Sequence, residues 1–430
     1  MASEKIVFFY RRRPPAEYSD VNNSYYPDIN STFPNTPESF PGYPPPPDYD
    51  NLIPDTDSGG DKINYNAQFY DRAYGLSNSS QFIVDFLSEA TLDASAEEVE
   101  DHEEVIQRLA ILNPDTCVIE ALWIRPERMR QIVTFFPSIK FYVRIHSHFP
   151  FLSAESVAMQ WFREYKNIAD DFGYNRFQIA SNHSQVSLTL SDMVHTDVKY
   201  LPNLYRSVNA VLHKPYDISR VSIHIGCFGA SRILKNTLNQ AVAAISAANA
   251  LGKYLYFHIN ADPAEQYSNP IIRNLVYLFD QQPNHFLMID KWSEYSEFIN
   301  TLSEIDLNLQ NSFTETFNLV SCDSIYSGIP VITSNAIDWL PNDLKVVNEQ
   351  DTNEISSKII SVFNDFNFAR DSWENQRASL INIVRTNANL WLEALELPFN
   401  YNDIMNTNSL GRRGIYIHYD REVDAPIVHA

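Results

Sequence analysis

Two carboxylates, Glu315 and Asp323, stand with seven residues between them in the stretch TETFNLVSCDSIYSGIPVIT, residues 314–333. A helix opening near Phe317 leaves Glu315 in the loop before it and carries Asp323 two turns in. At ~1.5 Å per residue the two acids can lie ~10 Å apart along one side of a ligand. Carboxylates accept hydrogen bonds from hydroxyls, so this pair suits a ligand with hydroxyl groups at both ends. Gly328 is placed to end the helix, Pro330 to block its continuation, and Val331–Thr333 to return the chain to a sheet. The same spacing describes an acid complementing a helix dipole, followed by a solvated aspartate.

A second group is cationic. Beyond the strand-like run VSIHIGCFG, Gly226 and Gly229 allow close backbone approach, and a helix start offers free N–H groups and a positive dipole end. Arg232 and Lys235 add charge at the same place, and together these would hold a diphosphate. An ordinary strand-to-helix turn with solvated basic residues would carry the same residues. The run is neither the G-x-G-x-x-G fingerprint nor a Walker loop, so no dinucleotide or ATPase site is indicated. His146 ends another strand, RIHS, where a core histidine satisfied by backbone is the alternative reading; His148 reads as structural. Arg11, Arg12 and Arg13 follow the first strand and, with Arg125, Arg128 and Arg130, would line a basic cleft or stand as solvated surface charges.

These groups need a frame. Lys5–Tyr10 reads as a short buried strand. Residues 14–60, with PGYPPPPDYD inside, show no amphipathic period and read as a long irregular insertion. The acidic block EEVEDHEEV, residues 97–105, reads as a solvated helix face. From about residue 106 helices alternate with the strands CVIEALWI, KFYVRIHS, FQIAS and VKYLPN. Residues 205–220 carry no pattern. The alternation then restarts with VSIHIGCFG, and the helix after it places Leu238, Ala241, Val242, Ile245 and Ala248 on one stripe. LYFHIN, HFLMID, DLNLQ, PVITS and LKVVN follow, then closing helices over about 370–394. Such alternation implies parallel sheets. The fold expected is α/β, two Rossmann-like domains facing each other across a cleft: 1–205, a linker 206–220, 221–400, and a tail 401–430. Ligands bind beyond the carboxyl ends of such strands, where the groups named above sit.

At 430 residues, 44% hydrophobic and 13% aromatic, the chain has ample core for two domains. Its formal charge of -22 opposes tight, non-specific binding to nucleic acid or anionic membrane. No apolar run approaches a membrane span, and the N-terminus does not read as a signal peptide. Cys117, Cys227 and Cys322 are far apart in apolar contexts, which predicts buried thiols in a reducing cytoplasm. No metal-ligand spacing is present. Asp48-Tyr49-Asp50 and Asp55-Thr56-Asp57 have an ion-holding form but lie in the insertion rather than after a strand.

The stretch SFTETFNLVSCDSIYSGIPVIT resembles the C-terminal signature of GT-B glycosyltransferases, in the large family-4-like group of nucleotide-sugar-dependent enzymes. Their pattern is Ser-x-x-Glu-x-Phe-Gly-Leu-x-x-x-Glu-Ala-x-x-x-Gly-x-Pro-Val-Ile. Ser312, Glu315, Phe317, Leu319, Gly328, Pro330, Val331 and Ile332 match it in register. Gly229, Arg232 and Lys235 resemble that family's phosphate element, RIHS its strand ending in an active-site histidine, and Leu201-Pro202-Asn203 its Pro-Asn-Gly. The resemblance spans about residues 105–335. Asp323 stands where the family has Glu, Asn318 and Asn236 where it has Gly, and Arg11–Arg13 where it has an N-terminal glycine-rich loop.

What the resemblance implies is a retaining, metal-independent sugar transfer from a UDP- or GDP-type nucleotide sugar, a co-substrate rather than a cofactor. Lys235 and Arg232, with Gly229 and the backbone of Asn318 and Leu319, would hold the donor diphosphate. Glu315 would bind the donor sugar, Asp323 the ribose, and His146 would reach the reacting centre from the first, acceptor-side domain. The acceptor would be a saccharide, a protein or a modified nucleobase, with Arg11, Arg12 and Arg13 on its side. A GT-B-fold epimerase, a phosphorylase, and a non-catalytic sugar- or nucleotide-binding protein on a degenerate scaffold are the alternatives.

Overall fold

The computed structural model describes residues 4–12, 74–90, 92–153, 157–205, 212–261, 269–398 and 400–408. Arg13, the insertion 14–60 with both Asp-x-Asp pairs, linker residues 206–211 and the tail beyond 408 lie outside the described residues.

The first sheet is built from β1 (Lys5–Arg11), β2 (Asp93–Val99), β3 (Thr116–Glu120), β4 (Lys140–Ile145), β5 (Phe177–Ser181) and β6 (Lys199–Tyr200), in the order β2-β1-β3-β4-β5-β6. The second holds β7 (Ser222–Gly226), β8 (Tyr254–Asn260), β9 (His285–Asp290), β10 (Leu307–Gln310), β11 (Val331–Ser334) and β12 (Lys345–Val346), in the order β12-β11-β10-β7-β8-β9. Every pairing is parallel. Runs such as TCVIE and FQIAS are buried along their whole length, as strands covered on both faces must be. Each sheet reverses its winding once, beside β1 in the first and beside β7 in the second. The loops after β7 and after β10 therefore leave adjacent strands in opposite directions and open a crevice between them.

The elements foreseen from the alternation are present, with three differences. The helix Tyr74–Glu89 and strand β2 precede the alternation and were not anticipated. The acidic block divides: residues 97–99 lie in β2, and Asp101 caps the helix His102–Leu112 by accepting from the N–H groups of Glu103 and Glu104. The edge position of β2 lets Glu97 face Arg108 at 3.8 Å and Glu98 face Arg12 at 4.0 Å, which no helical reading provides. The helix Thr237–Leu251 buries Ala241, Ala243, Ala244, Ile245, Ala247 and Ala248, while Leu238 and Val242 are each 39% exposed. Its alanine face, rather than its longer side chains, meets its neighbours and lets the helix pack closely.

A 29-residue helix, Phe366–Ala394, closes the chain against both halves. Trp373 Nε1 donates to the Ile325 carbonyl at 3.0 Å, and Trp391 Nε1 to the Pro202 carbonyl at 2.7 Å. Both rings are buried in one apolar cluster that also holds Phe8, Val118 and Tyr142 of the first sheet and Val331 of the second. The two sheets fall within a single compact unit. All three cysteines are free and buried; burial raises each thiol, that of Cys227 to about 12. No described helix is long and apolar enough to cross a membrane.

Candidate active site

On the second sheet, β7 ends at Gly226, where a Cβ would lie 2.5 Å from the Phe228 ring, so any larger residue has to displace that ring. Gly229 follows at φ +108°, a conformation L side chains rarely adopt. The chain then makes a 3₁₀ turn, Ile233–Lys235, and enters the helix Thr237–Leu251 through Asn236 at φ +57°. Asparagine tolerates this left-handed geometry. Asn236 Nδ2 donates to the carbonyls of Asn311 at 3.1 Å and Glu349 at 2.7 Å. Gln240 bonds the Lys235 carbonyl and accepts from the Asn311 N–H, each at 2.8 Å, and the Phe313 N–H donates to the Leu234 carbonyl at 2.9 Å.

These bonds staple the loop after β7 to the loop after β10. They bring together two groups that sequence separates by 80 residues: Lys235 Nζ lies 2.5 Å from Glu315 Oε1. The lysine side chain is 28% exposed and the glutamate 10%. A half-open ammonium beside a nearly buried carboxylate is a ready anion site whose present counter-ion is the protein's own acid.

Asn318 also sits in the left-handed region, at φ +68°, and caps the helix Leu319–Tyr326. Its Oδ1 accepts from the Ser321 N–H at 2.8 Å and its Nδ2 donates to Gln310 Oε1 at 2.9 Å, so both side-chain ends are engaged within the loop. Leu319 is the first helical residue, leaving unpaired helix-start N–H groups there. Asp323, one turn on, is 5% exposed, and its Oδ1 accepts from Tyr205 and Tyr295 hydroxyls, both at 2.7 Å. Two phenols therefore flank the carboxylate at the position the resemblance gives to a ribose ligand.

On the first sheet, Glu120 ends β3 and Arg144 lies one residue from the end of β4, both with fully buried side chains. Arg144 Nη1 donates to Glu120 Oε1 and Oε2 at 3.0 and 2.8 Å, its Nε to the Leu201 carbonyl at 2.7 Å, and its Nη2 to Asn203 Oδ1 at 2.5 Å. Burial alone would raise the Glu120 carboxyl, yet Arg144 and His146 beside it bring it below its ordinary value. His146 Nε2 contacts the same carboxylate, and its Nδ1 lies 3.4 Å from Asn182 Nδ2. Burial, against the pull of Glu120, lowers the imidazole below its usual value. A neutral ring donating from Nε2 and accepting at Nδ1 satisfies both neighbours.

The two halves meet at this histidine. Thr316, next to Glu315, accepts from Asn182 Nδ2 at 3.1 Å and donates to the His146 carbonyl at 3.2 Å. Arg232 places its guanidinium 5.2 Å from the Phe151 ring centroid, in the short helix after β4. His146, Lys235 and Glu315, from three loops, thus surround one crevice.

No protein-family model matches the chain, and no curated protein matches it in sequence. Solved structures do. The Anabaena HepE protein in complex with UDP and glucose superposes with a TM-score of 0.55 at 14% identity, over 76% of this chain and 98% of that one. A UDP-forming α,α-trehalose-phosphate synthase from Burkholderia xenovorans gives 0.51 at 11%, over 75% and 84%. Sucrose-phosphate synthase from Thermosynechococcus elongatus gives 0.51 at 15%, over 76% and 90%.

The fold is GT-B. Of the foreseen site residues, His146 follows β4, Gly229, Arg232 and Lys235 follow β7, and Glu315, Asn318 and Leu319 follow β10. Three of the arginines foreseen for the acceptor side have partners of their own. Arg11 Nε donates to the Glu100 carbonyl, Arg12 pairs with Glu98 and Glu100, and Arg130 bonds Asp171 at 2.6 Å. Arg12 and Arg130 thus face carboxylates, while Arg11 meets a backbone carbonyl. His148 packs on His183 with ring centroids 5.1 Å apart, and burial lowers both.

Glu120, Asn182, Tyr205, Tyr295 and Thr316 were not singled out from sequence. A lone acid in CVIEALWI and a lone arginine in KFYVRIHS were the available signal, since charge inside a fully buried strand requires a partner. The tyrosines and Thr316 offered none.

Proposed function

We propose that the protein is a glycosyltransferase that moves a sugar from a nucleotide-sugar donor to an acceptor hydroxyl, with retention of anomeric configuration and without a metal ion. The observation that carries this reading is the crevice geometry: Lys235 at 2.5 Å from Glu315, with the adjacent Thr316 bonded to the backbone of His146.

Lys235 and Arg232, with N–H groups near Gly229 and Leu319, neutralise the donor diphosphate, a task a divalent ion would otherwise perform. Donor binding releases Lys235 from Glu315, and the freed carboxylate accepts from the sugar hydroxyls. The acceptor oxygen bonds to the anomeric carbon on the face the diphosphate leaves. As the carbon–oxygen bond to phosphate breaks, the acceptor proton passes to the departing phosphate oxygen. His146 faces the sugar from the first sheet, its ring fixed by Glu120. The UDP of the HepE complex and the UDP-forming synthase favour a UDP-type donor over a GDP-type one. The same neighbours favour a saccharide acceptor over a protein or a modified nucleobase. Three buried free thiols support a cytoplasmic setting.

A second reading, a non-catalytic binding protein on the GT-B scaffold, draws on one observation: Asp323 is already engaged by Tyr205 and Tyr295. Incubation with a panel of nucleotide sugars separates the two. Thermal stabilisation by one donor with release of its nucleotide, both lost in Lys235→Ala, supports transfer. Stabilisation without turnover toward any saccharide acceptor supports binding alone, and no stabilisation at millimolar concentration removes the donor reading altogether.

A further inference from the structure

A cavity of about 210 Å³ is lined by Thr316 but not by His146, Arg232, Lys235 or Glu315. The first sheet contributes His183 and Tyr200; the second contributes Phe317, Asp338 and Trp339; Asn387 comes from the closing helix. Its volume is below the ~300 Å³ at which sites for drug-sized ligands begin, so it suits a single ring.

The lining chemistry narrows the ring further. Trp339 is a fixed aromatic platform, since its Nε1 donates to the Phe317 carbonyl at 2.7 Å and it stacks on the Phe317 ring at 5.7 Å. Asp338 has a 65% exposed side chain 3.8 Å from His183 Nε2, so its carboxylate is available to accept. His183 Nδ1 and Asn387 Oδ1 are buried with no hydrogen-bond partner, in residues only 9% and 1% exposed. Buried polar atoms left unpaired are costly, and a polar ligand able to reach them would offset that cost. No lysine or arginine lines the cavity, so nothing there recommends a phosphate or carboxylate. An apolar C–H face against an aromatic ring, with hydroxyls meeting a carboxylate, an imidazole and an amide, is the recognition chemistry of an uncharged sugar.

We propose that this cavity is a second ligand site that takes one neutral monosaccharide unit, separate from the crevice of Lys235 and Glu315. The assignment does not depend on the transfer reading, because it concerns binding in the absence of any donor.

The full chain is titrated with D-glucose, D-galactose, D-mannose and N-acetyl-D-glucosamine, followed by saturation-transfer NMR and calorimetry. At least one of the four is expected to bind, about tenfold or more weaker in Asp338→Ala and in Trp339→Ala, and unchanged in Lys235→Ala. D-glucose 6-phosphate is expected to bind no tighter than D-glucose. Asp338 is an exposed acid, so Asp338→Ala keeps a testable fold even if Trp339→Ala loses its packing on Phe317. The proposal is overturned if none of the four binds at tens of millimolar, if Asp338→Ala binds as well as the parent, or if Lys235→Ala abolishes the binding.

Discussion

The hydroxyl of Thr316 donates to the backbone carbonyl of His146 at 3.2 Å, across 170 residues of sequence. It also accepts from Asn182 at 3.1 Å. One side chain therefore sets how the loop bearing Glu315 meets the strand end bearing His146, and it couples the packing of the two sheets to the geometry of the crevice.

Replacing that hydroxyl should loosen both. Thr316→Val removes the donor to the His146 carbonyl and one acceptor of Asn182 Nδ2, which keeps Asn203 Oδ1 at 3.3 Å, a loss of about 1 kcal/mol. A melting temperature lowered by a few degrees, with turnover reduced more than donor affinity, is the expected pattern. Unchanged melting and unchanged turnover would show that the contact holds nothing in place.

Lys235 and Glu315 should respond in opposite directions to UDP. Lys235→Ala removes a charge-assisted contact and should weaken UDP binding about ten- to a hundredfold. Glu315→Gln removes the internal counter-ion and should tighten UDP binding, while transfer falls about a hundredfold or more. Calorimetry with UDP alone, beside turnover with the donor sugar, reads the two effects. Weaker UDP binding in Glu315→Gln would mean that the pair is a structural bridge and not an exchangeable one.

Asp323 should carry stability as well as any ligand role. Asp323→Ala removes the acceptor that the Tyr205 and Tyr295 hydroxyls share and leaves their 3.0 Å contact with each other, a cost of about 1 kcal/mol. Asp323→Asn keeps an acceptor and should recover much of it. Denaturant unfolding without ligand checks this; equal stability of parent and Asp323→Ala would assign the aspartate to ligand binding alone.

The His146–Glu120 contact predicts two pH windows. His146 is held below its ordinary value, so as pH falls past ~6.5 the unfolded chain takes up a proton the folded one refuses, and stability drops. Glu120 is also held below its ordinary value, so its contribution is present above ~4.3 and is lost as pH falls through its lower folded value. His146→Gln should flatten the slope between pH 5 and 6.5 by up to about 1.4 kcal/mol per pH unit, one proton's worth. Urea melts of parent and variant at matched pH values decide it; parallel slopes would show that His146 does not titrate with folding.

Much of this was legible in the chain itself. Strands read from apolar runs fell where the runs are, because a strand buried on both faces must be apolar throughout. Less legible were elements whose signal depends on their neighbours. Residues 97–99 carry the charge of a helix surface yet form β2, because an edge strand beside Arg12 and Arg108 tolerates acids. Leu238 and Val242 completed a helical stripe but stayed exposed, because close packing favoured the alanines.

The sequence by itself determined the α/β alternation, the helix end at Gly328, and the resemblance that placed Glu315, Lys235 and His146 at strand ends. Those depend on local periodicity and backbone sterics, which neighbouring residues specify. Only the tertiary structure decided that Lys235 meets Glu315, that Glu120 and Arg144 share a buried ion pair beneath His146, and that Asp323 is flanked by two tyrosines. Each of those contacts joins residues on different strands, helices or loops, and their partners are fixed by how the sheets wind and pack. Spacing along the chain carries no record of that.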